Sequence, residues 1–216
     1  MKTLLTLLVL TTTAAMANAQ SFDARCRTLA SEARIQVVFE DRPVTRDDSR
    51  SLDELRRLSQ SGASTHHRVL GLTHAEPSSS MELRVRHLQD TDGRVCAAPD
   101  LNLRIGLATL TVYLARELQG ACRRAIVEAH EQEHVAVWRN HLRIGARLLT
   151  TQLQQALGQA VVFEDAAQAS AQLGRLAESQ VQRQLKVLVD GIRSAHQQID
   201  APGSYQIEEG RLRACP

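Results

Sequence analysis

Runs of apolar residues at every second position occur up to about Leu114, and apolar residues take helical spacing from about Ala121 onward, so the chain buries a sheet first and long helices afterwards. Ile35, Val37 and Phe39 alternate as a strand does, and Asp41-Arg42-Pro43 closes that strand. Met81, Leu83 and Val85 alternate with Glu82, Arg84 and Arg86, and Asp90-Thr91-Asp92-Gly93 supplies turn chemistry, which predicts a hairpin. Leu101, Leu103, Ile105 and Leu107 keep the period, but Leu110, Val112 and Leu114 continue it on the opposite parity. That slip predicts a bulge near Ala108. Ser51 followed by Glu54 has capping-box spacing and starts a short helix over residues 52 to 60. Another short helix is expected within Ser21 to Ala33, and a loop from Ser61 to His67.

Beyond the switch, Ile126, Val137, Ile144 and Leu148 belong to a helix that continues to roughly Ala156, before Gly158. Asp165 can cap a second long helix, whose apolar stripe runs from Leu173 to Ile199 and stops at Asp200-Ala201-Pro202-Gly203. The expected fold class is α+β: a small antiparallel sheet followed by two long helices.

The first nineteen residues carry the marks of an export signal: Lys2, an apolar run from Leu4 to Leu10, and Ala17-Asn18-Ala19 before Gln20. Residues 1–19 are therefore expected to be a signal peptide, and residues 20–216 a single domain, in a product located in the periplasm or outside the cell. Its four cysteines, Cys26, Cys96, Cys122 and Cys215, are then expected to form two disulfides. The expected pairing is Cys26 with Cys215, tying the termini, and Cys96 with Cys122, tying sheet to helix. A formal net charge of +2, with three Phe, two Tyr and one Trp, argues against nucleic-acid binding. No run approaches the roughly 20 apolar residues that membrane insertion requires.

The chemistry concentrates at His130-Glu131-Gln132-Glu133-His134. Two His four apart on a helix put both imidazoles on one face, a separation suited to adjacent zinc ligands. Glu131 projects beside that face, where a carboxylate can take a proton from water and return it to a leaving amine. His141 follows seven residues after His134, a rise of about 10.5 Å in a continuous helix, and so is not a third ligand. A metzincin pattern would need Gly and His where Val137 and Asn140 stand.

The third ligand is expected from the second long helix or the tail after it. If the helices pack antiparallel about a turn near residue 161, His196 comes within about one turn of the metal, and Glu178 lies roughly 15–20 Å away. Register favours His196. Glu178, the acid bordering the apolar stripe, is the competing candidate. Asp190 joins Arg183, Lys186 and Arg193 on the polar face, and Trp138 is expected in the core. His66, His67, His74 and His87 are expected in loops or on the sheet surface.

Cys96 in a strand region, the HExxH helix, and a final helix ending at Ile199-Asp200 together resemble an exported bacterial family of unassigned function, predicted to be zinc-dependent proteases of zincin-like fold. The resemblance covers roughly residues 80 to 205, and its specific part is the HExxH motif. That family's turn continues to a Thr and then His-Gly, whereas this chain has Gly203, Ser204 and Tyr205. The resemblance implies zinc, and it implies Tyr205 as an unusual ligand or a donor to an oxyanion. The expected function is a zinc-dependent metallopeptidase hydrolysing peptide bonds in a peptide or protein substrate. The alternative is a non-catalytic exported protein that binds metal or a partner and keeps the HExxH helix.

Overall fold

The structure is a computed structural model, and it describes residues 20–59 and 69–216. The export signal and the loop expected from Ser61 to His67, with His66 and His67, lie outside the described residues.

Among the described residues ten elements follow in order: α1 Phe22–Ser31, β1 Ile35–Glu40, β2 Thr45–Asp47, α2 Leu52–Leu58, β3 Gly71–Gln89, β4 Val95–Leu114, α3 Ala121–Leu157, β5 Val161–Phe163, α4 Ala166–Ile199 and α5 Pro202–Arg213. Local chemistry sets several of the boundaries. In α2 the Ser51 N–H donates to Glu54 Oε2 at 2.8 Å and the Glu54 N–H to Ser51 Oγ at 3.3 Å, the reciprocal capping box. At α4 the Gln168 N–H donates to Asp165 Oδ1 at 2.8 Å, so Asp165 caps the helix as its position suggests. Pro202 opens α5, since Pro suits the first turn of a helix and cannot continue the one before it.

β4 is the spine of the sheet. β3 pairs antiparallel along its whole length through the Asp90–Gly93 turn, and β5, β1 and β2 line its other side in succession. Glu76 pairs with Thr109 and Pro77 with Leu107, which leaves Ala108 as the extra residue of a bulge where the apolar parity slips. The antiparallel expectation needs correction, because β1 and β2 run parallel to β4 and the sheet is mixed. Alternation reports which face is buried and is blind to strand direction. Here connectivity decides: β2 ends opposite Tyr113 and β3 begins opposite Leu114, so β3 must run back along the sheet. Its hairpin partner β4 then runs with β1.

The main core lies between the sheet and the two long helices, where Leu101, Leu103 and Ile105 of β4 join a cluster with Val135, Leu142 and Leu149 of α3 and Val181 and Ile192 of α4. A second cluster packs Val95 and Ala97 against Phe163, Ala169 and Leu173. The long helices run antiparallel and approach closely at Gly145, where an added Cβ would stand 2.7 Å from Leu188 Cδ1. At 37 residues α3 is about 55 Å long, so its HExxH turn sits far from its C-terminal end.

Two disulfides form, and both pairings differ from expectation. Cys26 bonds Cys96 and Cys122 bonds Cys215. α1 rests on the sheet beside the start of β4, which puts Cys26 next to Cys96. The tail after Asp200 is helix α5, which folds back to α3 and carries Cys215 to that helix's first turn. Cys26 and Cys215 are consequently not joined to each other. Two disulfides suggest an oxidising compartment, periplasmic or extracellular. Among the described residues no helix is long and apolar enough to cross a membrane.

Candidate metal centre

Helix α3 carries His130 and His134 one turn apart, facing the end of α4 and the start of α5. Their Nε2 atoms lie 3.2 Å from each other. Asp200 Oδ1, at the C-cap of α4, is 3.1 Å from His134 Nε2 and 3.3 Å from His130 Nε2. The three atoms form a nearly equilateral triangle. Ligands bound tetrahedrally to one ion at about 2.0–2.1 Å would be separated by about 3.3–3.4 Å, so the donor set present fits a divalent metal. His130, His134 and Asp200 form the group that can hold a metal ion among the described residues.

The second nitrogen of each ring has its own partner. His130 Nδ1 stands 3.1 Å from Glu208 Oε2, contributed by α5. Hydrogen bonds to Asp200 and to Glu208 lift the His130 pKa to about 10, against the opposing effect of burial. His134 Nδ1 stands 2.8 Å from His196 Nδ1. A metal ion held at His134 Nε2 would put the ring's proton on Nδ1, where it would be donated to His196. Burial lowers the His196 pKa to about 4 and keeps that ring neutral, able to accept. Its own Nε2 is buried without a hydrogen-bond partner among the described residues. His196, expected as the third ligand, is thus beside the centre as the antiparallel register indicated, but outside the group of three.

Asp200 Oδ1 also accepts from the Tyr205 hydroxyl at 3.0 Å. Burial works to raise the Asp200 pKa, but hydrogen bonds from His130 and His134 outweigh it and hold the carboxyl well below its ordinary range. Burial pushes the Tyr205 phenol above its ordinary value, and its ring lies against His130 with centroids 5.9 Å apart. Tyr205 therefore meets the candidate centre through Asp200.

Glu131 is only 4% exposed. Thr73 of β3 donates through Oγ1 to Glu131 Oε2 at 2.7 Å and is 3.0 Å from the Glu131 carbonyl oxygen, which ties the carboxylate to the sheet. Burial raises its pKa, with the Thr73 hydrogen bond and the two His opposing. A Cβ on Gly71 would lie 2.7 Å from both Glu131 Oε1 and Val127 Cγ1. Only a residue without a side chain lets β3 approach the carboxylate so closely. Gly71→Ala is expected to displace Glu131 while sparing the three donor atoms. Metal content should stay at the wild-type level and any hydrolytic activity should fall by at least about tenfold, read from parallel zinc and rate assays.

The remaining sequence candidates separate from the centre. Glu178, the alternative third ligand, is exposed, accepts from Gln182 and lies outside the group of three. Asp190 pairs with Lys186 and Arg193 on the polar face, as expected. His141 is turned back to the Val137 carbonyl oxygen at 3.0 Å. Trp138 packs against the core, and it also lines the cavity with its ring 5.4 Å from that of His196. His74 lines the same cavity from β3.

Sequence reasoning weighed neither Asp200 as a ligand nor Glu208 as a partner. The signal available was the Asp at the helix-stopping Asp200-Ala201-Pro202, a place where a side chain escapes the helix and can turn toward a neighbour. Comparison with known proteins adds nothing to this geometry: no family model matches the chain, and neither a curated protein nor a solved structure is significantly similar to it.

Proposed function

We propose that this is an exported zinc-dependent metallopeptidase, in which His130, His134 and Asp200 hold the ion and Glu131 is the general base. The observation that carries this reading is the triangle of donor atoms with edges of 3.1 to 3.3 Å, adjoined in one cavity by a buried carboxylate. Two imidazoles and one carboxylate are a three-ligand set of the kind that catalytic zinc uses, with a fourth position left for water or substrate. Zinc bound there supplies a Lewis acid that makes water nucleophilic near neutral pH.

The chain's own residues do the rest. Glu131 accepts the proton of the attacking water and passes it to the nitrogen of the departing amine, so that the amide C–N bond breaks as a neutral amine leaves. Burial favours its protonated form, which brings the carboxylate closer to the pKa of a group that both takes and returns a proton near neutrality. Thr73 holds that carboxylate in place. Glu208 and His196 fix the tautomer and orientation of the two ring ligands, a role in which outer partners commonly change metal affinity by about 10–100-fold. Glu208→Gln is therefore expected to weaken zinc binding within about that range, measured by competition with a chromophoric chelator. Tyr205 holds Asp200 and offers its hydroxyl near the reacting centre.

The test is elemental analysis of protein purified without chelator, together with an assay on a mixed peptide library. One zinc per chain and cleavage abolished by chelation and restored by zinc are the expected results. Folded protein that takes up no divalent metal would overturn the proposal.

A further inference from the structure

The candidate centre opens into a cavity of about 650 Å³. One part of its wall is apolar, formed by Leu58 at the end of α2, Val69 and Leu70 leading into β3, Leu72 of β3, and Leu212 of α5. Leu58 is a large apolar side chain that is 42% exposed. The charged part of the wall is acidic: Glu131, Asp200, Glu208 and Glu209 line it, and among the described residues no Lys or Arg does.

These charges are already matched. Glu208 pairs with His130, and Glu209 with Arg213 at 3.4 Å. Asp200 and Glu131 adjoin the cation proposed above. No positive side chain is left among the described lining residues to receive a carboxylate from a substrate. Recognition of a chain's C-terminal carboxylate ordinarily relies on a Lys or, better, the forked donors of Arg. A carboxylate desolvated beside Leu70 and Leu212 would instead lie unpaired among like charges.

We propose, building on the peptidase reading, that the cavity binds an internal segment of a peptide through an apolar side chain seated on the Leu58, Leu70 and Leu212 wall, and discriminates against acidic side chains and a free C-terminal carboxylate. Leu58, Leu70 and Leu212 are its specificity-determining residues.

Trp138 is the chain's one Trp, and it lines this cavity, so its fluorescence reports occupancy without requiring turnover. The test uses zinc-loaded protein and three peptides: one blocked at both ends with a central Leu, the same peptide with Glu for Leu, and one ending in a free carboxylate one residue beyond the bond. The Leu peptide is expected to perturb Trp138 emission and to bind at least roughly tenfold more tightly than either of the others, within the range one apolar contact confers. Where hydrolysis is seen, kcat/KM should follow the same order. Leu58→Arg, a substitution at a partly exposed position, should narrow the gap between the Leu and Glu peptides by restoring a counter-charge.

Equal or tighter binding of the Glu peptide, or cleavage confined to the peptide with the free carboxylate, would overturn the inference. Cleavage of all three without preference would overturn it and leave the peptidase reading standing. Selective binding of the Leu peptide without cleavage of any would support the cavity's preference and count against hydrolysis.

Discussion

Asp200→Ala is expected to reduce zinc affinity by more than about 100-fold, and His196→Ala by no more than that, because outer partners of a metal ligand are worth about 10–100-fold and a donor atom more. The expectation rests on which atoms meet. Asp200 Oδ1 completes a triangle with both Nε2 atoms, whereas His196 contacts the Nδ1 of His134, the nitrogen turned away from that triangle. Competition against a chelator of known affinity, performed on both variants, separates the two assignments. If His196→Ala loses the ion and Asp200→Ala keeps it, His196 is the third ligand. Loss of the Asp200 carboxylate also removes an acceptor of the Tyr205 hydroxyl, so Tyr205→Phe is the control that isolates the carboxylate's own effect.

Glu131→Gln should lower kcat by roughly 10²–10⁴-fold, the usual contribution of a positioned general base, with zinc content unchanged. Gln keeps the length of the side chain and an oxygen for the Thr73 hydroxyl to donate to, but it cannot take a proton. The variant therefore removes proton transfer while preserving packing against Gly71 and Val127. A cleavage rate within a few fold of wild type would reject Glu131 as the base and move attention to a different proton acceptor in the cavity.

Much of the architecture could be read directly from patterning. Ser51 with Glu54, and Asp165, mark helix starts because capping is a bond between residues three apart, so its partners are visible in the sequence. The bulge at Ala108 follows from a parity slip between Leu107 and Leu110, since the side-chain period of a strand is two. His130 and His134 share a face because a helix repeats every 3.6 residues. Each of these inferences spans a few residues of known geometry.

The errors lie where contact is remote. Strand direction for β1 and β2 depends on the end of the sheet to which α2 returns the chain, and no local pattern encodes that. Disulfide partners depend on where α1 and α5 dock, which is why Cys26 found Cys96 and Cys122 found Cys215. In sequence, residues 200 to 205 look like a stop followed by a tail. Pro202 does stop α4, but it also starts α5, and that helix brings Glu208 to His130.

By itself, the sequence of this protein determined the two long helices, the strand-forming runs before them, and the two imidazoles with the carboxylate between them, because these depend on rotations per residue that are the same in every chain; α5, β2 and β5 carried no such signal. Tertiary structure alone brought Asp200 to the two imidazoles. The approach of Asp200 to α3 is set by how two long antiparallel helices align and by the break between α4 and α5. A shift of one residue in that alignment moves a side chain about 1.5 Å along the axis and turns it by about 100°, enough to exchange Asp200 for a neighbour.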